Sequence, residues 1–212
     1  VATILHINSS ARNTRSISRQ LSAEFLRKWQ EVQPADVIVE RDLAAGPVPH
    51  VTEQMVGAFF TPMEKRSPEQ ARSLQLSDEL VDELMNADII VIGAPMYNFT
   101  ISSTLKAWID HVARAGLTFK YTPTGPVGLV QGKKIYIFTS RGNTYTQGPA
   151  KPMDFQEPYL RAVLGFMGLT DITFIHAEGL GKGEAAVADA LVRTRQTIGE
   201  LVAASMPLGV AG

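Results

Sequence analysis

The amino-acid sequence predicts a doubly wound α/β fold built on a five-stranded parallel sheet. Five short apolar, β-branched runs alternate with segments of helical periodicity. One of them, Asp88–Pro95, is apolar from Ile89 to Ile92 without a break, as a strand covered on both faces must be. The 212 residues, 45% of them hydrophobic, fit a single domain and rule out a disordered chain.

Thr3–Ile7 is the first strand. A polar stretch follows, and then Ile17, Leu21, Phe25, Trp29 and Val32 recur at helical spacing until Pro34 stops the helix. Asp36–Glu40 is the second strand. Residues 46–68 are irregular, with prolines at 47, 49, 62 and 68 and a short helix near Val56–Phe60. A connection of that length predicts a pocket lip or a partner surface. A long helix next places Leu76, Leu80, Val81, Leu84 and Met85 on one face, and it leads into the Asp88–Pro95 strand. Leu105, Trp108, Ile109 and Val112 mark the following helix. The glycine- and proline-punctuated stretch 116–132 predicts a small hairpin excursion. Lys133–Thr139 is the fourth strand, 158–168 a helix and Asp171–His176 the fifth strand. Val187, Leu191, Ile198 and Leu201 mark the last helix.

Five strands with a terminal helix suit the flavodoxin-like order 2-1-3-4-5 better than a six-stranded dinucleotide fold. In that order the switch point lies between strands 1 and 3. A ligand therefore belongs on the loops after strands 1 and 3, with the loop after strand 4 beside them.

Composition narrows the function classes. A net charge of −1 leaves no basic footprint for nucleic acid or an anionic membrane. With no cysteine, disulfides, thiolate nucleophiles and Cys-based metal sites fall away. No apolar stretch reaches transmembrane length, and the first residues lack the pattern of a signal peptide, so the expected location is cytoplasmic. His6, His50, His111 and His176 lack ligand-type spacing and read as structural or surface residues, with no metal expected. Glu40 and Asp42 could imitate a ribose-binding acid, but no glycine loop accompanies them.

The loop Ser9–Ser18 has no glycine, which speaks against a dinucleotide fingerprint there. It offers instead the hydroxyls of Ser9, Ser10, Thr14, Ser16 and Ser18, with Arg12 and Arg15, where a helix begins. That is a cradle for a terminal phosphate, and Ser16 or Ser18 as a plain helix cap fits the same residues. The loop Ala94–Ser102 exposes Met96, Tyr97 and Phe99, a surface suited to a flat aromatic cofactor, with the Asn98 main chain as a donor to a ring nitrogen. The alternative tucks Tyr97 and Phe99 into the core and leaves Ser102 or Ser103 as a cap. In the third loop, Ser140-Arg141-Gly142-Asn143, the glycine permits close approach or positive φ, and Asn143 tolerates the left-handed region.

These segments resemble a known family, the FMN-dependent NADH:quinone oxidoreductases or azoreductases. The resemblance rests on Ser9-Ser10, Ser16-Ile17-Ser18, Ala94-Pro95-Met96-Tyr97-Asn98-Phe99, Leu105-Lys106, Ala113–Phe119 and Ser140-Arg141-Gly142. Pro158-Tyr159-Leu160, Leu164-Gly165-Phe166 and Ala177-Glu178-Gly179 continue it in the family's order over nearly the whole chain. It implies a flavodoxin-like homodimer, each subunit one FMN-binding domain over 1–212, with FMN near the subunit interface. Ser10, Ser16, Ile17 and Ser18 would hold the FMN phosphate. Met96, Tyr97, Asn98 and Phe99 would line the isoalloxazine, with the Asn98 backbone near its N5, and Ser140, Arg141, Gly142 and Asn143 would meet the pyrimidine edge. Tyr121 and Phe166 match substrate-pocket positions. Many members have glycine where this chain has Asn143.

No catalytic side-chain constellation is expected, because a flavin supplies the chemistry itself. The implied reaction is two-electron ping-pong transfer from NADH, or NADPH, to quinones and azo compounds. The rival reading is a one-electron carrier of the flavodoxin type, which lacks support in the charge and in the first loop.

Overall fold

The structure, a computed structural model, describes residues 1–205. Strand β1 (Thr3–Asn8) leads through the first loop into helix α1 (Ile17–Val32), and β2 (Val37–Asp42) follows. Helices α2 (Glu53–Phe59) and α3 (Pro68–Asn86) precede β3 (Ile89–Pro95) and α4 (Ser103–Val112). A hairpin of β4 (Phe119–Thr122) and β5 (Gly125–Gly128) comes next, then β6 (Lys134–Ser140), α5 (Glu157–Phe166), β7 (Asp171–Ala177) and α6 (Glu184–Ala204).

The main sheet has five parallel strands in the order β2-β1-β3-β6-β7, and β4–β5 is a separate antiparallel ribbon. Numbered among themselves, the sheet strands run 2-1-3-4-5, the predicted order. Strand alternation sends neighbouring residues to opposite faces. Leu5, Ile7, Ile90, Ile92, Ile135 and Ile137 form a core with residues of α3, α4 and α5. Ile4, Val91, Tyr136, Phe138 and Ile175 form another with α1 and α6.

Local chemistry explains the boundaries. Ser67 and Gln70 close a capping box ahead of α3, with Pro68 in its first turn. Helix α2 begins at Glu53, three residues before the expected start, because the Thr52 hydroxyl accepts from the Met55 N–H. The expected face of α3 is corrected at Met85, which is 41% exposed, while Leu74 and Ser77 are buried in its place. The buried stripe winds off Met85 in the last turn, as a 3.6-residue period requires.

Two close approaches matter for the site. A Cβ on Gly93 would lie 3.1 Å from Asn8 Oδ1, 3.2 Å from Ser22 Oγ and 3.3 Å from the Ser18 carbonyl, so this glycine in β3 lets α1 settle on the sheet. A Cβ on Gly128 would come within 2.1 Å of the Gly168 backbone nitrogen, and Gly168 has φ +100°. The hairpin thus lies backbone to backbone on the end of α5.

Candidate functional site

The first wall forms where β1 ends. Ser9 is fully buried, and both its N–H (3.0 Å) and its hydroxyl (2.8 Å) donate to the Gly93 carbonyl, locking the loop to β3. Ser10 is held differently: its carbonyl accepts from Arg19 Nη2 at 2.9 Å, while Arg19 also forks onto Asp42 with two bonds of 2.7 Å. Those bonds outweigh burial and hold the Asp42 carboxyl at about 2. Asp42, the one-time ribose candidate, is therefore occupied as an anchor.

Ser16 occupies the N-cap position of α1, yet its side chain makes no capping bond and lies 3.3 Å from Ser18 Oγ. No acidic residue sits in the first turn, so the helix's free N–H groups keep their positive end uncompensated. Arg12 and Arg15 make no ion pair among the described residues, and Arg15 sits at φ +58°. A non-glycine residue in that region costs about 1–3 kcal/mol.

The second wall is a tight reversal. Tyr97 and Thr100 exchange backbone bonds of 2.9 and 3.1 Å, and the central residues Asn98 and Phe99 have φ +48° and +72°. This is the geometry of a primed two-residue turn, carried here without glycine. Tyr97 and Phe99 do not enter the core: Tyr97 is half-buried and Phe99 is 42% exposed. The Tyr97 hydroxyl lies 3.4 Å from Ser10 Oγ and accepts from the Ala11 N–H at 3.3 Å, joining the first two walls. Ser102 caps α4, its side chain accepting from the Leu105 N–H.

The third wall follows β6. The Ser140 carbonyl accepts from the Met96 N–H at 2.9 Å, and the Gly142 carbonyl from the Gly181 N–H at 2.8 Å. Gly142 and Asn143 are both outside the positive-φ region. A Cβ on Gly142 meets nothing within 4 Å, so its freedom is one of open approach. The Arg141 side chain is fully buried beneath this loop against Asp154, Gln156 and Glu178. Burial pushes the Glu178 carboxyl up, but the Thr146 hydroxyl, the Tyr145 N–H and Arg141 together leave it below the usual range.

The three walls enclose one cavity of about 400 Å³, within the size range of small-molecule sites. Ser10, Ser16, Ile17, Met96, Tyr97, Ser140, Arg141 and Gly142 line it, together with Arg12, Arg15 and Pro95. Ser18 lies buried behind Ser16, and Asn98 borders a second cavity of about 480 Å³ with Lys106 and Tyr159. Asn143 lines a third space of about 690 Å³ with Thr144 and Lys182. Phe99 is outside the first cavity's lining, as are Tyr121 and Phe166, whose rings pack on Phe119 at 5.5 and 4.4 Å. Sequence reasoning missed Leu180 and Gly181, from the loop after β7, and Val187, from the first turn of α6, which complete the lining. The glycines at 179, 181 and 183 were the available signal for a loop that must approach another backbone closely.

Three of the four histidines are placed by polar partners, and His50 is exposed. His6 bridges Glu40 and Ser22 at 2.8 and 2.9 Å, and His176 bridges Thr139 and Glu157 at 2.7 and 2.8 Å. His111 Nε2 meets the Pro49 carbonyl at 2.9 Å. Among the described residues no helix is long and apolar enough to cross a membrane.

A family model described as a flavodoxin-like fold matches residues 2–202. The FMN-dependent NADH:quinone oxidoreductase of Herminiimonas arsenicoxydans is 59% identical over 201 residues, covering 95% of this chain and 98% of the relative. The crystal structure of an azoreductase from Bacillus anthracis str. Sterne superimposes with a TM-score of 0.88 at 30% identity, covering 95% of this chain and 99% of that one. An FMN-dependent NADH-azoreductase from Bacillus anthracis str. Ames Ancestor, solved in complex with FMN, gives 0.84 at 25% identity, with 95% and 100% covered.

Proposed function

The chain belongs to the flavodoxin-like fold family, among the FMN-dependent NADH:quinone oxidoreductases, and on that premise we propose that it uses NADH and FMN to reduce quinones and cleave aromatic azo compounds. The observation that carries the reading is the single cavity in which a hydroxyl- and guanidinium-rich helix start faces an apolar-aromatic turn. On this reading the sheet is doubly wound, residues 1–212 act as one FMN-binding unit, and the cavity marks the switch point between β1 and β3.

The donor set fits FMN. The uncapped start of α1, Ser10, Ser16 and the unpaired Arg12 and Arg15 suit a phosphate dianion. Ile17 lines the same cavity and would join them, while Ser18 braces Ser16. Met96 and Tyr97 offer apolar surface to the ring, and the turn leaves the Asn98 and Phe99 N–H groups without an acceptor among the described residues. The loop of Ser140, Arg141 and Gly142 would meet the pyrimidine edge with backbone, no Cβ at Gly142 obstructing approach, and Asn143 would join them from the neighbouring space. Held there, FMN would supply the two-electron chemistry that links NADH to the acceptor.

We place Tyr121 and Phe166 in the substrate pocket of a homodimer. The support is exposed apolar surface outside the cavity, with Phe60 73% and Tyr121 71% exposed. A location in the cytoplasm accords with a pyridine-nucleotide donor. No nucleic acid or membrane partner is included.

The test is an absorbance spectrum of purified protein after incubation with FMN and desalting. A retained yellow band that NADH bleaches anaerobically and a quinone restores is expected, with parallel initial-rate lines for the two substrates. A retained band that NADH leaves unchanged would point to a one-electron carrier, and a colourless protein would remove the flavin reading altogether.

A further inference from the structure

Arg141 belongs to the cavity's lining, yet its guanidinium is fully buried and spent on Asp154, Gln156 and Glu178. It donates through Nε to Gln156 Oε1 at 3.0 Å, and through Nη1 to Asp154 at 3.0 Å and Glu178 at 3.2 Å. Each partner holds something further. Glu178 accepts from the Tyr145 and Thr146 N–H groups at 2.8 and 3.1 Å and from the Thr146 hydroxyl at 2.7 Å. Asp154 accepts from the N–H groups that open α5 at 3.0 and 3.1 Å. Gln156 donates to the Ala94 carbonyl near the end of β3 at 3.1 Å.

Between these anchored ends the segment 143–156 crosses the strained turn and grips it. The Phe155 N–H donates to the Phe99 carbonyl at 3.0 Å, and the Thr100 hydroxyl donates to the Phe155 carbonyl at 3.2 Å. The Tyr145 ring meets Phe99 edge-on, with centroids 6.4 Å apart. Phe99 holds φ +72°, a conformation that a bulky side chain keeps only when its surroundings enforce it.

We infer that Arg141 is a positioning residue, whose buried guanidinium tensions residues 143–156 as a strap over the Tyr97–Thr100 turn and thereby holds the unpaired Asn98 and Phe99 N–H groups ready for the cofactor. The strap belongs to the protein alone, and only its consequence for FMN rests on the function proposed above. One buried cation serves both the backbone of the third wall and the conformation of the second.

The test is residue-resolved amide hydrogen exchange on the FMN-free protein, comparing wild type with Arg141→Lys, Glu178→Gln and Tyr145→Ala. Lysine keeps the charge but cannot reach three acceptors in a fork, and the other two cut single links should Arg141→Lys fail to fold. The Tyr97, Thr100 and Phe155 amides should lose at least tenfold more protection than Ile90–Ile92 in β3, which report global unfolding. FMN affinity should fall about tenfold in the same variants. Wild-type protection of the turn in Glu178→Gln and Tyr145→Ala would overturn the inference, as would an equal loss in β3, which would make Arg141 a general stabiliser. If wild type takes up no FMN, the flavin reading falls, and the exchange rates still decide the strap.

Discussion

The two ends of the cavity are built on different principles. The end proposed for the phosphate is local: Ser10, Arg12, Arg15 and Ser16 lie within one loop and one helix start, and its anchor, Arg19 with Asp42, is a two-body fork partly open to solvent. The end proposed for the ring is assembled from afar, from β3, from residues 140–143, from the inferred strap and from the loop after β7, around a guanidinium with no exposure. Local construction leaves charges free for a ligand, whereas distant construction consumes its charge in holding shape.

Removing each anchor should expose that contrast most sharply. Arg141→Met strands two nearly buried carboxylates, Asp154 and Glu178, and should cost about 3–5 kcal/mol in denaturant unfolding of the FMN-free protein. Arg19→Met should cost only about 1 kcal/mol, since Asp42 keeps a third of its side-chain exposure and two backbone donors. It should also change the acid limb. The Asp42 carboxyl sits at about 2 in the folded chain against 3.8 ordinarily. A depressed folded value stabilises the fold above the ordinary pKa, and that contribution fades as pH falls from about 4 to about 2. A stability profile of Arg19→Met over that window should be flatter than wild type.

Smaller effects sharpen the comparison. Arg15→Gly relieves a residue at φ +58° and should raise the stability of the FMN-free protein by up to about 1 kcal/mol, while weakening FMN binding in a salt-dependent way. Ser16→Ala should leave the melting temperature of the FMN-free protein almost unchanged, because the hydroxyl caps nothing, yet lower FMN affinity about tenfold. A normal capping loss of about 1 kcal/mol in that variant would return Ser16 to a purely structural role.

The same division explains what could be read from residue order. The five strands and α1 announce themselves through short-range patterning, and Ile17–Val32 is helical to both predicted ends. That Ser10, Arg12, Arg15, Ser16 and Ile17 share one cavity was legible because they are neighbours in the chain. The left-handed Asn98 and Phe99 were not, since no glycine marks them and their conformation depends on Phe155 and Tyr145. Asn143 misled in the opposite direction, for a residue type that tolerates positive φ need not adopt it. Met85 shows the limit of a face drawn through five apolar residues when the helix has turned past the core.

The contact of Gly128 with Gly168 has a consequence for redesign. With backbone against backbone and no side chain between, the β4–β5 ribbon has no cushion on which to tilt away from α5. Residues at its outer face, Tyr121 and Val127 among them, are therefore presented from a fixed bracket. Exchanging those side chains will recontour that outer face by their own volume, without the ribbon shifting to absorb the change.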